Sequence, residues 1–309
     1  MRASIIVLIL ASFLLHSCEK EIQIDIPGYE EKVVIDGKIE TNSPPIVLLS
    51  TTKNIYSPTN IDAYMDGFIS GAEVIVSDGT TTVVLDEFCT DNLPAGSEEA
   101  VSQMLGIPVD QLALFHICAY STMNTDIWGQ VGKSYTLTVN YDGESYTSTS
   151  NLVSNTPLNK IFWKPAPGYL DRGYSWGELT DPAGQYDAYL WEVKYLGQNV
   201  FYKTYSPVND DEYFDGKTFE FSYENPMSCG NDDVPEEYRC YYKLNDTVII
   251  KNSKMDRNVY ECWEKRYMQL YSSGNPFAAP ANVVTNIQGG AIGIWGAYSP
   301  WYDTLICVE

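Results

Sequence analysis

The sequence predicts a mainly β protein: an N-terminal immunoglobulin-like β-sandwich followed by a second β-rich domain with one amphipathic helix. Three observations carry this. From Lys32 onward, short runs of β-branched and aromatic residues recur between Gly, Asp, Asn and Pro turns, at the spacing of a sandwich. Asp-Gly pairs at Ser77-Asp78-Gly79-Thr80 and Tyr141-Asp142-Gly143-Glu144 are hairpin signals. Only one stretch, about Asp256 to Ser272, shows a convincing helical period.

Ahead of these elements lies a leader. Met1 and Arg2 give a positive start, Ile5 to Leu15 is an apolar run of 11 residues, and Leu15-His16-Ser17-Cys18 closes it. That order is a secretory signal. Eleven residues rise roughly 16 Å as a helix, too little for a hydrocarbon core of about 30 Å. The closing tetrapeptide resembles the lipobox of bacterial lipoproteins, with Leu15, Ser17 and Cys18 in the pattern and His16 a departure from it. The resemblance implies cleavage before Cys18 and acylation of that cysteine. Acyl chains bind by about 0.8 kcal/mol per buried CH₂ and two signals suffice for stable anchoring, so three chains would hold the protein to a membrane permanently.

Residues 19–31 read as an acidic tether spanning up to roughly 43 Å, and Glu19 and Glu21 resemble a weak form of the export signal of surface lipoproteins. The sandwich is expected over 32–154. Its runs are VVIDGKIE, PPIVLLSTT, AEVIVSDG, TTTVVLDE, SYTLTVNYDG and ESYTSTS, and the alternation of Tyr135-Thr136-Leu137-Thr138-Val139 gives one buried and one wet face. Residues 89–118 interrupt it as an insertion, in which Ser97 is placed to cap a helix through Leu105 with Glu98 and Glu99 in its first turn. Asn155-Thr156-Pro157 reads as a linker to a β-rich domain over 155–309, with runs KIFWK, YDAYLWEVKYLG, NVFYKTYSP, KTFEFSY and DTVIIKNS. The helix follows, capped by Asp256, with Val259, Trp263, Tyr267, Leu270 and Tyr271 on one face. Two further strands, GGAIGIWGAYS and WYDTLICV, end the chain.

Composition narrows function. The chain has 19 basic and 41 acidic residues, a formal net charge of −22, which argues against nucleic acid and anionic headgroups as partners. Tyrosine is abundant, at 24 residues, as in proteins that bind sugars or peptides. Once Cys18 is lipidated, Cys89, Cys118, Cys229, Cys240, Cys262 and Cys307 remain, an even number in an exported chain. Nearest-neighbour pairing joins Cys89 to Cys118, Cys229 to Cys240 and Cys262 to Cys307, the first two worth roughly 3.5 and 3 kcal/mol. No Cys or His spacing suggests zinc.

Several blocks resemble one family over nearly the whole mature chain: CEKEIQIDIP, VVIDGKIE, PPIVLLS, GAEVIVSDG, DPAGQYDAYLWEVKY, DDEYFDGKTFEF, and VYECWEKRYMQLYSSGNPFAAPANVVTNIQGGAIGIWGAYS. They are similar to an uncharacterised outer-membrane lipoprotein family, domain of unknown function 4249, whose genes often neighbour those of TonB-dependent receptors. The insertion 89–118 is longer than the simple hairpin associated with that family. The resemblance implies an outer-membrane accessory lipoprotein working with such a receptor, and supplies no catalytic residues.

Chemistry is otherwise sparse. His116 is the only histidine of the mature chain, and no GxSxG, HExxH or phosphate-binding glycine loop is present; Ser50-Thr51-Thr52-Lys53 matches SxxK without its companions. Asp210, Asp211 and Asp215, or Asp232 and Asp233, offer clustered oxygens for calcium, against the plainer reading as solvated loops. Trp295, Tyr298, Trp301 and Tyr302 are a candidate interface, against the plainer reading as the core of a last hairpin. The expectation is a non-enzymatic, lipid-anchored surface protein that captures solute for a TonB-dependent receptor. A stand-alone structural or adhesive surface protein is the alternative, and an envelope hydrolase the weakest reading.

Overall fold

The computed structural model describes residues 30–53, 67–93, 98–105, 107–272 and 284–308. The leader, Cys18 and the tether to residue 29 lie outside them, as do Ser97 and the GNPFAAP stretch. The strands are β1 Val33–Glu40, β2 Ile46–Thr51, β3 Glu73–Ser77, β4 Thr82–Val84, β5 Asp86–Cys89, β6 Cys118–Ser121, β7 Ser134–Tyr141, β8 Glu144–Asn151, β9 Lys160–Pro165, β10 Arg172–Thr180, β11 Ala188–Tyr195, β12 Tyr202–Asp210, β13 Thr218–Tyr223, β14 Tyr242–Lys243, β15 Thr247–Met255 and β16 Ile292–Ile306. Between β5 and β6 lie α1 Glu98–Leu105 and the short α2 Val109–Leu112, and α3 Arg257–Ser272 follows β15. The fold is mainly β, as the turn spacing predicts. No described helix is long and apolar enough to cross a membrane.

One eight-stranded sheet, ordered β12-β11-β15-β16-β1-β2-β6-β5, is the spine of the molecule. Its centre is a parallel pair, β1 with β16, running from Val34↔Ile292 to Glu40↔Tyr298. Four of its strands come from residues before 154 and four from residues after 155. What changes at the expected domain boundary is the smaller sheet that covers the spine: β4-β3-β7-β8 over the first half, and β9, β10, β13 and β14 over the second.

The period of two sorts side chains between these layers. On β16, Trp295 and Ala297 enter the first core with Ile35, Val76, Tyr135 and Leu137, whereas Leu305 and the half-buried Trp301, on the same face, belong to the second. Ile294 and Tyr298 point the other way and pack with Met255 and Val259 against α3. Local chemistry closes the hairpins: Asp142 and Gly143 both take positive φ, 51° and 81°, in the two-residue turn between β7 and β8.

Three expectations change. GGAIGIWGAYS and WYDTLICV are one 15-residue strand, β16, not two; Pro300 stands beyond Tyr298, the last residue paired to β1, so its missing N–H breaks no bond to that strand. On α3 the face holds at Val259, Trp263 and Tyr267, but Leu270 and Tyr271 are exposed while Tyr260 and Cys262 are buried. The last turn reaches the edge of the sheet, where Tyr271 stacks on the exposed Tyr205 of β12 at 4.1 Å and is not buried in the core. Finally, Cys89–Cys118 and Cys229–Cys240 are bonded, but Cys262 and Cys307 are free and buried. Cys262 lies in the helix-side core and Cys307 in the core on the opposite face of the sheet, so a layer of backbone separates the two sulfurs.

Candidate functional site

The second sandwich encloses an aromatic chamber. Along β11, Tyr189, Trp191 and Val193 alternate inward; along β13, Phe219, Phe221 and Tyr223 face back at them. Phe214, on the loop between β12 and β13, closes one end. The Trp191 ring stacks on Tyr223 at 5.0 Å and meets Phe221 edge-on at 5.3 Å, and Phe214 lies 4.1 Å from Phe219. These geometries are the offset and edge-to-face contacts aromatic rings prefer. A cavity of about 240 Å³ remains among them, with six aromatic rings and no charged side chain in its wall.

Asn252 supplies the polar point. It stands on β15 in register between Trp191 of β11 and Trp301 of β16. Only 4% exposed, it lines the cavity, and its carboxamide has no hydrogen-bond partner among the described residues. The buried Trp191 Nε1 also has none. Unlike that indole nitrogen, the Asn252 carboxamide is not among the buried side-chain atoms left without a partner, so it is reached from the cavity and is free to donate to and accept from whatever fills it. At the mouth, between the unjoined edge strands β12 and β13, stand the exposed Ser206, Asn209 and Ser222, with Asn209 Nδ2 donating to the Tyr223 hydroxyl at 2.6 Å.

Beside the chamber lies a knot of carboxylates. The Tyr189 hydroxyl donates to Asp181 at 2.8 Å; the Gly216 N–H donates to Asp181, the Asp187 N–H to Asp211, and the Gly184 N–H to Asp215. Lys254 Nζ lies 2.5 Å from Asp187, both fully buried. Burial pushes the Asp181 and Asp211 carboxyls above the usual range. Carboxylate oxygens of Asp181, Asp211 and Asp215 come within 4.8 Å of one another. The oxygen cluster read from sequence therefore has Asp181 where Asp210 was expected, because β10 and the β12–β13 loop meet here. Asp210 instead accepts from the Tyr186 hydroxyl, and Asp232 pairs with Arg239 at 3.0 Å. A second set, Cys89, His116 and Cys118, was missed by sequence spacing; cross-strand pairing of β5 with β6 assembles it, with both sulfurs already in the disulfide.

The opposite face of the long sheet carries a buried ion network. Lys251 Nζ is 2.7 Å from Glu40 and 3.0 Å from Glu192, and Lys203 is 3.2 Å from Glu192. Burial alone would raise the Glu192 carboxyl, but Lys251 and Lys203 overcome it and hold it down at about 2. The four candidate interface aromatics divide between the faces. Trp295 is fully buried and Tyr298 nearly so, its hydroxyl accepting from Trp263 Nε1 at 2.8 Å, so both are core and not surface. Trp301 is half-buried beside Asn252, and Tyr302 is half-exposed next to Phe201.

A comparison with curated proteins finds no match. The family model of a domain of unknown function, DUF4249, matches residues 19–301, which include every strand of the spine except the last residues of β16. The chain belongs to that DUF4249 family.

Proposed function

We propose that the chain is a lipid-anchored, outer-membrane surface protein that captures a solute for a TonB-dependent receptor. The observation that carries the reading is the aromatic chamber with Asn252 inside it, a ring-lined space open at a polar mouth, as small-molecule sites are. His116, the histidine outside the leader, stands away from the chamber: it is exposed, paired through Nδ1 to Asp91 at 2.8 Å, and the sulfur nearest its Nε2 is spent in a disulfide. The leader ending at Cys18 supports the anchor. An anchor confines the protein beside barrels in the same membrane, so a modest interface gains from raised effective concentration.

The stand-alone adhesive reading draws on exposed tyrosines, Tyr205 and Tyr213 above all. Co-purification in mild detergent separates the two: capture for a receptor requires a β-barrel protein in the eluate of the wild type, and its absence favours adhesion. Cys18→Ala should move the protein from washed membranes to the soluble fraction; retention of the variant would refute the lipid anchor or reveal a protein that holds it.

A further inference from the structure

We infer that the chamber between β11, β13 and β15 binds a neutral, planar ring bearing one hydrogen-bonding substituent, a phenol-like ring, with Asn252 as its polar contact. The inference rests on the solute-capture reading and names the ligand class of the same site. Cavities of about 150 Å³ accept benzene, so about 240 Å³ admits one substituted ring and leaves no room for two. Charge is excluded by the wall: none of the lining residues is ionised at neutral pH, and an ion brought there would lose its hydration with nothing in return.

Shape and polarity decide between the remaining neutral classes. Trp191, Phe221 and Tyr223 present faces and edges that stack on a flat ring. Asn252 can both donate and accept, which suits a hydroxyl. A hexose carries five hydroxyls; with one amide inside and Ser206, Asn209 and Ser222 only at the mouth, it would bury several unpaired, each weakening binding roughly ten-fold or more. A phenolic ring buries one, and Asn252 meets it. Toluene has the same ring without the hydroxyl, so comparing the two isolates the amide.

The test uses the purified protein without a receptor. 4-Methylphenol, toluene and glucose are titrated separately, followed by Trp fluorescence and by magnetisation transfer from ring protons to the protein. The expected result is saturable binding of 4-methylphenol, at least ten-fold tighter than toluene, with no saturation by glucose. Asn252→Leu should weaken 4-methylphenol at least ten-fold and leave toluene unchanged or tighter. Asn252→Ala is the second variant, and contacts from bound 4-methylphenol to the Trp191 and Phe221 rings in the wild type test the location even if both variants unfold. Equal affinity for 4-methylphenol in wild type and a folded Asn252 variant would overturn the role of the amide. Tighter binding of glucose, absence of binding by either ring, or contacts elsewhere than the chamber would overturn the ligand class. A negative result here leaves receptor co-purification untouched, and a missing receptor leaves ring binding measurable.

Discussion

The Trp295 indole, on the last strand, donates its Nε1 hydrogen to the backbone oxygen of Tyr135, at 2.9 Å, across 160 residues of sequence. Trp295 is fully buried in the first core, and its own backbone is clasped by Asn286, whose Oδ1 accepts from Trp295 N and whose Nδ2 donates to Trp295 O. The largest side chain of the first sandwich thus comes from the end of the chain. The first half cannot complete its core alone, whereas the cores of the second half draw only on residues after 155.

This makes β16 indispensable to both halves. Deleting residues 292–309 removes Trp295 and Ala297 from the first core and Trp301 and Leu305 from the second. The expected outcome is rapid proteolysis throughout 32–154 as well as 155–291. Survival of a protease-resistant fragment ending near residue 154 would show that the first sandwich folds by itself. The single change Trp295→Ala should cost about 3–5 kcal/mol by denaturant unfolding.

Acid sensitivity should be traceable to Glu192. Its carboxyl is held at about 2 against an ordinary 4.5. A lowered folded value supplies stability that is present above about pH 4.5 and lost as pH falls toward 2. Lys251 moves the opposite way, raised by Glu192 and Glu40 against the effect of burial, so its share is intact below its ordinary 10.5 and is lost only above it. Glu192→Gln should flatten the stability curve between pH 4.5 and 2. Lys251→Met leaves Glu192 with Lys203 and Glu40 with Lys38 as their remaining cations, and should cost up to about 3 kcal/mol at neutral pH; an acid limb unchanged by Glu192→Gln would refute the assignment.

The cysteines should divide four to two. Burial pushes the Cys262 thiol up to about 11 and the Cys307 thiol up to about 12, and only thiolate reacts readily. Native protein at pH 8 should take up no alkylating reagent, and denatured, unreduced protein should take up two equivalents, located at Cys262 and Cys307 by peptide mass. No uptake after denaturation would restore the third bridge.

The sequence showed what is local and hid what is long-range. VVIDGKIE is β1 to the residue, because its alternation reports one buried face, and both Asp-Gly turns are set by their own backbone needs. β10 was invisible: Gly173, Ser175 and Gly177 erase the apolar alternation. Glycine is needed there, since a β-carbon at Gly177 would stand 2.7 Å from the Phe221 ring. The aromatic runs of β11 and β13 were legible as strands, but not as two walls of one chamber, because β13 pairs with β10 and not with β12. Asn252 falls within the run DTVIIKNS, which reads only as a strand. Only its place between Trp191 and Trp301, fixed by two neighbouring strands, makes it a site residue.

Besides Glu40 with Lys251, the Asp256 carboxylate joins the two halves through its side chain. Asp256 Oδ1 accepts from the Val259 N–H at 3.0 Å and so caps α3, while Oδ2 accepts from Asn151 N at 2.7 Å, Asn151 Nδ2 at 3.2 Å and Ser150 Oγ at 3.3 Å at the end of β8. Loss of a cap costs about 1 kcal/mol, and a buried donor left without an acceptor about 1–3 kcal/mol more. Asp256→Ala should therefore cost about 2–4 kcal/mol, more than a cap by itself. Asp256→Asn is the discriminating variant. Asparagine caps a helix as well as aspartate does, so the α3 end would survive, but its NH₂ would face the Asn151 N–H, donor against donor. If asparagine proves as damaging as alanine, the contact with β8 is the dominant part; if it is neutral, Asp256 is only a helix cap and the link to the first half is not energetically real. Denaturant unfolding of the three proteins, with hydrogen exchange at Val259 and Asn151 read separately, gives the answer for each end of the carboxylate.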